Sequence, residues 1–302
     1  MAKTTVILNP IAGRGAGRRL AAEIAAALQR EGLDFELVST ERPHHATELA
    51  HEAFEVGREA VIAVGGDGTV HEVLNGLLRA SPSADGVALG ILPIGTGNDF
   101  AHGAGLPLDW HQAVQVVARG QSHILDVGRV QADDQSPLYF GNGVGIGFDA
   151  IVNIESRKIK RLRGFLVYLV AVFKTLAVYY AAPQTTVRVD EQELAQPSLM
   201  ISVMNGQRIG GGFYTTPDAR MDDGRLEVCI AEKVGRLRMV GFVPQFMRGS
   251  HVGDRKVTMA GGQRITVVSE MPWASHVDGE IYGVGAQRFE IELLPKRLRL
   301  LC

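Results

Sequence analysis

Hydrophobic positions change texture near residue 126. Before that point, short apolar runs alternate with longer amphipathic stretches. Residues 4–8, Thr-Thr-Val-Ile-Leu, read as a buried strand, closed by Asn9-Pro10 and a glycine loop over 11–17. Ala, Leu and Glu then predict a helix over 18–30, with Gly32 as its C-cap. A short strand at 35–38 and a helix over 44–57 follow. The apolar run 61–64 enters Gly65-Gly66-Asp67-Gly68-Thr69 and a helix over 69–79, and a fourth strand at 87–93 enters Pro93-Ile94-Gly95-Thr96-Gly97-Asn98-Asp99-Phe100. Strands and helices alternating at this spacing predict a doubly wound parallel α/β domain over 1–125, whose ligands bind beyond the carboxyl ends of the strands.

Beyond 126 the apolar segments are short: 124–130, 138–140, 186–189, 199–204, 226–231, 265–268 and 289–293, separated by Gly, Pro, Asn and Asp. This predicts an antiparallel β-sandwich domain over 126–295, interrupted by one long helical segment over 152–182. The fold class is therefore α/β plus all-β. With 302 residues, 46% of them hydrophobic and 21% charged, the chain is long enough for two cores.

A net charge of -2 supplies no global basic field, so nucleic acid is not an expected partner. Cys229 and Cys302 are far apart and form neither a disulfide framework nor a zinc site, which fits a reducing cytoplasm. Val-Ile-Leu near the start is too short for a signal-peptide core, so no secretion is expected. A basic run at 157–163 precedes an apolar stretch at 164–180. Spanning a bilayer takes about 20 apolar residues, and Lys174 interrupts this stretch. A helix packed on the β-domain is expected instead, its basic rim suiting contact with an anionic membrane surface. A homodimer stays open.

The candidate chemistry lies in three loops at strand ends: 9–17, 65–69 and 95–99. Glycines allow close approach of a phosphate to the main chain, a helix starting near Thr69 adds positive dipole, and Asp67 is a carboxylate able to hold Mg²⁺. One such loop is ordinary punctuation, but three meeting on one sheet edge make a nucleotide-phosphate site. There is no G-x-x-x-x-G-K-[ST], and no loop carries G-x-G-x-x-G. The looser match Gly145-Ile-Gly147-Phe-Asp-Ala150 follows no convincing strand of a βαβ unit. His44, Glu48 and His51 share a helix face without a second ligand set, so a solvated face is expected rather than a metal site. His71-Glu72 lacks the second histidine of a zinc-protease helix. Thr40, between a strand and a helix, reads as a helix cap when taken alone.

Taken together, Asn9-Pro10 with Gly13 and Gly15, the 65–69 loop and the 93–101 run resemble the catalytic domain of diacylglycerol kinases, shared with sphingosine kinases. The resemblance continues through Gly147-Phe148-Asp149-Ala150, Asn205-Gly206, Gly210-Gly211-Gly212-Phe213, Asp222-Asp223-Gly224 and Asp278-Gly279-Glu280, and so covers nearly the whole chain. Its nearest relatives would be the soluble bacterial lipid kinases of this type. His71 departs from the family, which usually has Asn there.

The resemblance implies an NAD kinase/diacylglycerol kinase-like nucleotide domain, with a last strand over about 296–302 returning to it. It also implies Mg²⁺-ATP-dependent phosphorylation of a lipid hydroxyl. The implied ATP site comprises Asn9, Pro10, Gly13, Thr40, Gly65, Gly66, Asp67, Gly68, Thr69, Val70, His71, Gly95, Thr96, Gly97, Asn98 and Asp99. Glu280 is implied as the base, Asp278 as the less favoured candidate or a metal-side partner, and Asp67 as catalytic through Mg²⁺. Carbonyls of Arg220 and Arg225 with the Asp223 carboxylate are implied as a structural Mg²⁺ site. From the residues alone, Asp278-Gly279 reads as a hairpin turn, and Asp222-Asp223-Gly224 suits a plain turn and a metal site equally. An NAD kinase-like enzyme and a nucleotide-binding regulatory protein without turnover stay open as alternatives.

Overall fold

The computed structural model describes residues 3–81, 86–133, 135–159, 162 and 165–302. It divides into two compact units, Met1–Val127 with Leu294–Cys302, and Gly128–Leu293.

The first unit runs β1 (Thr4–Leu8), α1 (Ala12–Arg30), β2 (Phe35–Ser39), α2 (His45–Glu55), β3 (Ala60–Gly65), α3 (Asp67–Ala80), β4 (Ala88–Pro93), α4 (Asp99–Gly103), α5 (Trp110–Arg119) and the start of β5 (Ser122–Ala132). β2, β1, β3 and β4 lie side by side in that order, every pair parallel, and Leu300 near the chain end joins Leu89 of β4 in parallel. β3 and β4 are buried along their whole length. That is why they read as continuous apolar runs: helices cover both faces of a parallel sheet. α1 packs with α5, and α2 with α3. Val61, Ile62, Ala63 and Val64 are all fully enclosed, and each of the larger three contributes roughly 1.5–3 kcal/mol by leaving water.

Two local details differ from the sequence pattern. The 11–17 loop is wound tightly into the front of α1, with Gly13, Arg14 and Gly15 in the left-handed region at φ 55, 57 and 84°. The regular helix begins only after them. α2 is held at its N-terminus by Glu72, whose two carboxylate oxygens accept the N–H groups of His44 at 3.0 Å and Ala46 at 3.1 Å. A residue that reads as half of a failed zinc motif is thus the cap of a neighbouring helix. The face bearing Glu48 and His51 is solvated, with Arg42 on Glu48 and Glu55 on His51.

The second unit continues with β6 (Leu138–Phe140), β7 (Gly143–Gly147), α6 (Phe148–Arg157), α7 (Phe165–Val178), β8 (Gln184–Val189), β9 (Gln192–Met204), β10 (Arg208–Ile209), β11 (Phe213–Tyr214), β12 (Leu226–Glu232), α8 (Arg236–Arg248), β13 (Val257–Gly262), β14 (Arg264–Val277) and β15 (Glu280–Leu301). Its pairings are antiparallel: β13–β12–β9–β7–β14–β15, with β8 bridging β9 and β14, and β6 on β5. β9 and β14 each change partner along their length, from β8 at one end to β7 at the other. The register of β14 against β15 shifts between Val268 and Trp273, where the strand bends. The core between these strands includes Phe140, Trp273 and Phe289, none more than 1% exposed.

The expected single helix over 152–182 is two helices, α6 and α7, and residues 160, 161, 163 and 164 of the expected span lie outside the described residues. Pattern reading also overlooks α8, because Pro244 sits inside it. Met239, Phe242, Val243 and Phe246 nevertheless give α8 a buried face at helical spacing.

Replacing Glu72 with Ala removes both acceptors from the α2 N-terminus. The expected loss is about 1–2 kcal/mol, the scale of a lost helix cap, read from the denaturant midpoint. Glu72→Gln keeps one oxygen acceptor and loses less; equal stability of all three proteins would exclude the capping role.

Candidate active site

In the first unit the three glycine-rich loops interlock through main-chain and side-chain hydrogen bonds. Asn9, just past β1, donates from Nδ2 to Thr69 Oγ1 at 3.0 Å, and its Oδ1 accepts the N–H of Ile11 at 3.1 Å. The Ile94 N–H donates to the Gly65 carbonyl at 2.9 Å. Asp67 Oδ1 accepts the N–H of Phe100 at 3.1 Å, tying the second loop to the third. The fit leaves no room for side chains: a Cβ on Gly95 would stand 2.4 Å from Gly66 Cα, and one on Gly13 would stand 2.3 Å from the Ile94 carbonyl oxygen. Gly13 also needs its positive φ.

Thr40 joins the same edge, its N–H donating to the Leu8 carbonyl at 2.9 Å. The N-cap of α2 is His44, so Thr40 is not a helix cap. Gly66, at the N-cap of α3, offers no side chain, and Asp67 and Gly68 beside it are partly exposed. Thr69, Val70 and His71 turn inward, at 4, 4 and 7% exposed. The His71 ring lies against the Asn75 amide on the next turn of α3. Thr96 is exposed, Asp99 is buried, and Asn98 holds a left-handed φ of 52° with its Nδ2 on the Gly95 carbonyl at 3.3 Å. Asn98 Oδ1 is buried without a donor. Arg14, Arg18 and Arg19 stand exposed around the first loop and add positive charge that the motif comparison overlooks. A glycine-lined cradle, a helix N-terminus and one carboxylate suit a nucleotide polyphosphate with a divalent cation.

In the second unit Asp278 and Gly279 form a two-residue turn between β14 and β15, with φ 49 and 83° and Val277 paired to Glu280. Two positive φ values are the signature of a type I′ hairpin. The two carboxylates of this segment have opposite fates. Asp278 is buried, and its oxygens accept the N–H groups of Gly141 at 3.0 Å and of Asn142 and Gly143 at 2.9 Å. These bonds anchor the approach to β7. Glu280 is half exposed and pairs with Arg157 at 2.8 Å. Arg157 and Asn153, one turn apart on α6, both donate to the Gly279 carbonyl at 2.8 Å, so α6 grips the turn from outside.

Beside the turn lies a second buried carboxylate. Asp149, at the start of α6, accepts the Tyr168 hydroxyl at 2.7 Å and His276 Nε2–H at 3.1 Å. Asp149 and Tyr168 line an apolar pocket of about 70 Å³, walled by Phe148, Val172, Phe213, Phe242 and Phe246 among others. Cys229 is fully enclosed nearby, and burial together with the Asp149 charge pushes its thiol up to about 12, so it is no nucleophile. Neither the pocket nor this trio is visible in the spacing of motifs; only Gly147-Phe148-Asp149-Ala150 marks the place.

At the implied cation site, Asp223 is exposed and its Oδ1 accepts the Arg225 N–H at 3.2 Å, an Asx turn closed by Gly224 at φ 79°. The Arg220 and Arg225 side chains pair with Asp222 and Glu227.

Residues 3–130 match the diacylglycerol kinase catalytic domain, and residues 142–302 match the YegS C-terminal NAD kinase beta sandwich-like domain. The chain belongs to this family of diacylglycerol kinase-like lipid kinases. It is 29% identical to a diacylglycerol kinase of Mycobacterium tuberculosis (strain ATCC 25618 / H37Rv) over 88% of this chain and 84% of that one. It is 30% identical to the YtlR protein of Bacillus subtilis (strain 168) over 97% of each. A crystal structure of a diacylglycerol kinase from Bacillus anthracis str. Sterne shares the fold, with a TM-score of 0.76 and 21% identity over 99% of this chain and 96% of that one.

Asp67→Asn separates two tasks of one side chain. The amide oxygen still accepts the Phe100 N–H, so thermal stability is expected to stay within about 1 kcal/mol, the scale of one hydrogen bond. Kinase turnover is expected to fall by about 10²-fold or more, the scale of a lost electrostatic contribution. Unchanged turnover would remove Asp67 from the site.

Proposed function

We propose that this protein transfers the γ-phosphoryl group of ATP to the hydroxyl of a lipid. The apolar pocket of the second unit carries this reading, because in a kinase family it provides for a substrate with hydrocarbon chains. A pocket so poor in polar groups offers little to a dinucleotide, which weighs against NAD kinase-like activity. The acidic side chains Asp67 and Glu280 support turnover over regulatory nucleotide binding alone.

ATP with Mg²⁺ supplies the phosphoryl group and neutralises its charge. The chain's own residues position and deprotonate. Backbone groups of the 9–17, 65–69 and 95–99 loops hold the phosphates, with Asn9, Thr40 and Thr96 completing the nucleotide site and Asp67 on the metal side. Glu280 accepts the proton of the lipid hydroxyl, held in place by Arg157 and by the turn beneath it. A second Mg²⁺ at the Arg220 and Arg225 carbonyls with Asp223 would have hard oxygen ligands and a structural role.

Diacylglycerol, phosphatidylglycerol and long-chain or sphingoid alcohols all suit the pocket. Radiolabelled ATP offered with these lipids in mixed micelles tests the reading, and label in none of them would refute it. On the accepted lipid, Glu280→Gln is expected to lower kcat by about 10²-fold or more, with ATP affinity within a few-fold. Asp278→Asn is expected to lose stability instead, since an amide cannot accept at both oxygens. Full turnover in Glu280→Gln would move the base elsewhere.

The same reading places the enzyme at lipid–water surfaces. Among the described residues no helix is long and apolar enough to cross a membrane. Leu166, Val170 and Phe173 nonetheless stand exposed at i, i+4, i+7 on α7, and Leu237 of α8 is 91% exposed. Arg157 and Lys158, paired with Glu280 and Glu155, are described members of the basic run; Lys160, Arg161 and Arg163 lie outside the described residues. Each cation near an anionic surface adds about 1 kcal/mol. Co-sedimentation with phosphatidylglycerol vesicles is expected, weakening in Leu166→Glu/Phe173→Glu and at high salt. Equal sedimentation with neutral and anionic vesicles would reject it.

A further inference from the structure

We infer that Asp149 and His276 are a positioning pair that sets the Gly279–Glu280 turn and links it, through Tyr168, to the wall of the apolar pocket. The inference rests on the lipid-kinase reading for its kinetic consequence, but its structural core does not.

Four hydrogen bonds carry it. Tyr168 donates to Asp149 Oδ1 at 2.7 Å, and His276 Nε2 meets Asp149 Oδ2 at 3.1 Å. On the far side of the ring the Gly279 N–H donates to His276 Nδ1 at 3.3 Å, and the Gly279 carbonyl accepts from Arg157, the partner of Glu280. A histidine that accepts at Nδ1 carries its proton at Nε2, and a carboxylate oxygen of Asp149 beside Nε2 is the acceptor that suits this tautomer. The carboxylate therefore fixes the ring, and the ring fixes the turn.

Space is kept for this pair. A Cβ on Gly145 would stand 2.1 Å from Asp149 Oδ2 and 2.3 Å from His276 Nε2. A Cβ on Gly210, whose φ is 62°, would stand 2.7 Å from the Tyr168 ring, and Phe213 packs on that ring with centroids 5.2 Å apart. Asp149 and His276 are 3 and 2% exposed. A buried carboxylate without partners is strongly destabilising, so the hydrogen bonds are obligatory rather than decorative. Asp149 and Tyr168 are also pocket-wall residues. A hydrocarbon chain seated there presses on Tyr168 and, through the carboxylate, on the turn that presents Glu280. The enzyme would thereby place its base best when the chain of the substrate is seated.

The test combines imidazole ¹⁵N spectra with kinetics on wild type, Asp149→Asn and Tyr168→Phe, using His276→Asn to assign the ring signals. Wild type is expected to hold His276 protonated at Nε2. Asp149→Asn presents an amide N–H to Nε2 and is expected to move the proton to Nδ1, with kcat falling by about 10²-fold, the scale of a misplaced reacting group, while the KM for ATP stays within about threefold. Tyr168→Phe deletes one hydroxyl and keeps the fold if Asp149→Asn does not. It is expected to keep the tautomer, and to lower kcat more on a long-chain than on a short-chain lipid. Dioctanoylglycerol added to wild type is expected to shift the Gly279 amide resonance, and to shift it less in Tyr168→Phe. An unchanged tautomer in Asp149→Asn, or a Gly279 shift equal in wild type and Tyr168→Phe, overturns the pairing or the link. If no lipid is phosphorylated the kinase reading falls, and the tautomer and amide shifts still decide this one.

Discussion

Close approach of main chain to main chain is the constraint on which the nucleotide half depends. At the carboxyl edge of the parallel strands, Gly66 and Gly95 pass so near that Gly95 has no room for a Cβ and Gly66 little, and Gly13 lies as tightly against Ile94. Backbone N–H groups can serve a phosphate only where side chains are kept away, so the cradle is specified by what the residues lack. Asp67 adds a second requirement: it closes the second loop onto Phe100 and brings negative charge to the edge. The parallel strands behind the loops supply rigidity, since their enclosed side chains leave the loop ends little freedom.

The second unit meets a related constraint with side chains. Asp278 and Asp149 are both buried carboxylates, and each satisfies its oxygens differently. Asp278 takes three backbone N–H groups from one short segment, which fixes the chain entering β7. Asp149 takes a hydroxyl and an imidazole, groups that can change partner or tautomer. Glu280, two residues beyond Asp278, is half exposed and held by Arg157.

Local patterns made the first unit legible. Strand, glycine turn and helix are encoded within about ten residues, and β3 through α3 follows directly from Val-Ile-Ala-Val entering Gly-Gly-Asp-Gly. The hairpin at Asp278-Gly279 was equally local. What escaped was long-range: the N–H partners of Asp278 lie 135 to 137 residues away, and those of Glu72 lie 26 to 28 away. No spacing rule reveals such pairs. α8 escaped for a different reason: Pro244 interrupts its sequence pattern, and its apolar face is held by tertiary packing rather than by local propensity. The apolar pocket escaped because its walls come from α6, α7, α8 and strand residues far apart in sequence, which only the fold brings together.

The glycines of the motifs then separate into two physical kinds. Gly13, Gly66 and Gly95 are pressed by backbone, and in the proposed nucleotide site the space they preserve is the space a phosphate would need. Gly145 and Gly210 are pressed by the chain's own side chains, Asp149 with His276 and the Tyr168 ring. A motif search treats both alike as glycine. Structurally they answer different questions: the first kind marks where the protein meets its ligand, and the second marks where it must meet itself. That Gly145 guards a buried Asp–His pair, and Gly210 the tyrosine hydrogen-bonded to that pair, ties two separate stretches of motif to one set of hydrogen bonds. The pair is therefore a built feature of the fold and not a chance contact within a crowded core.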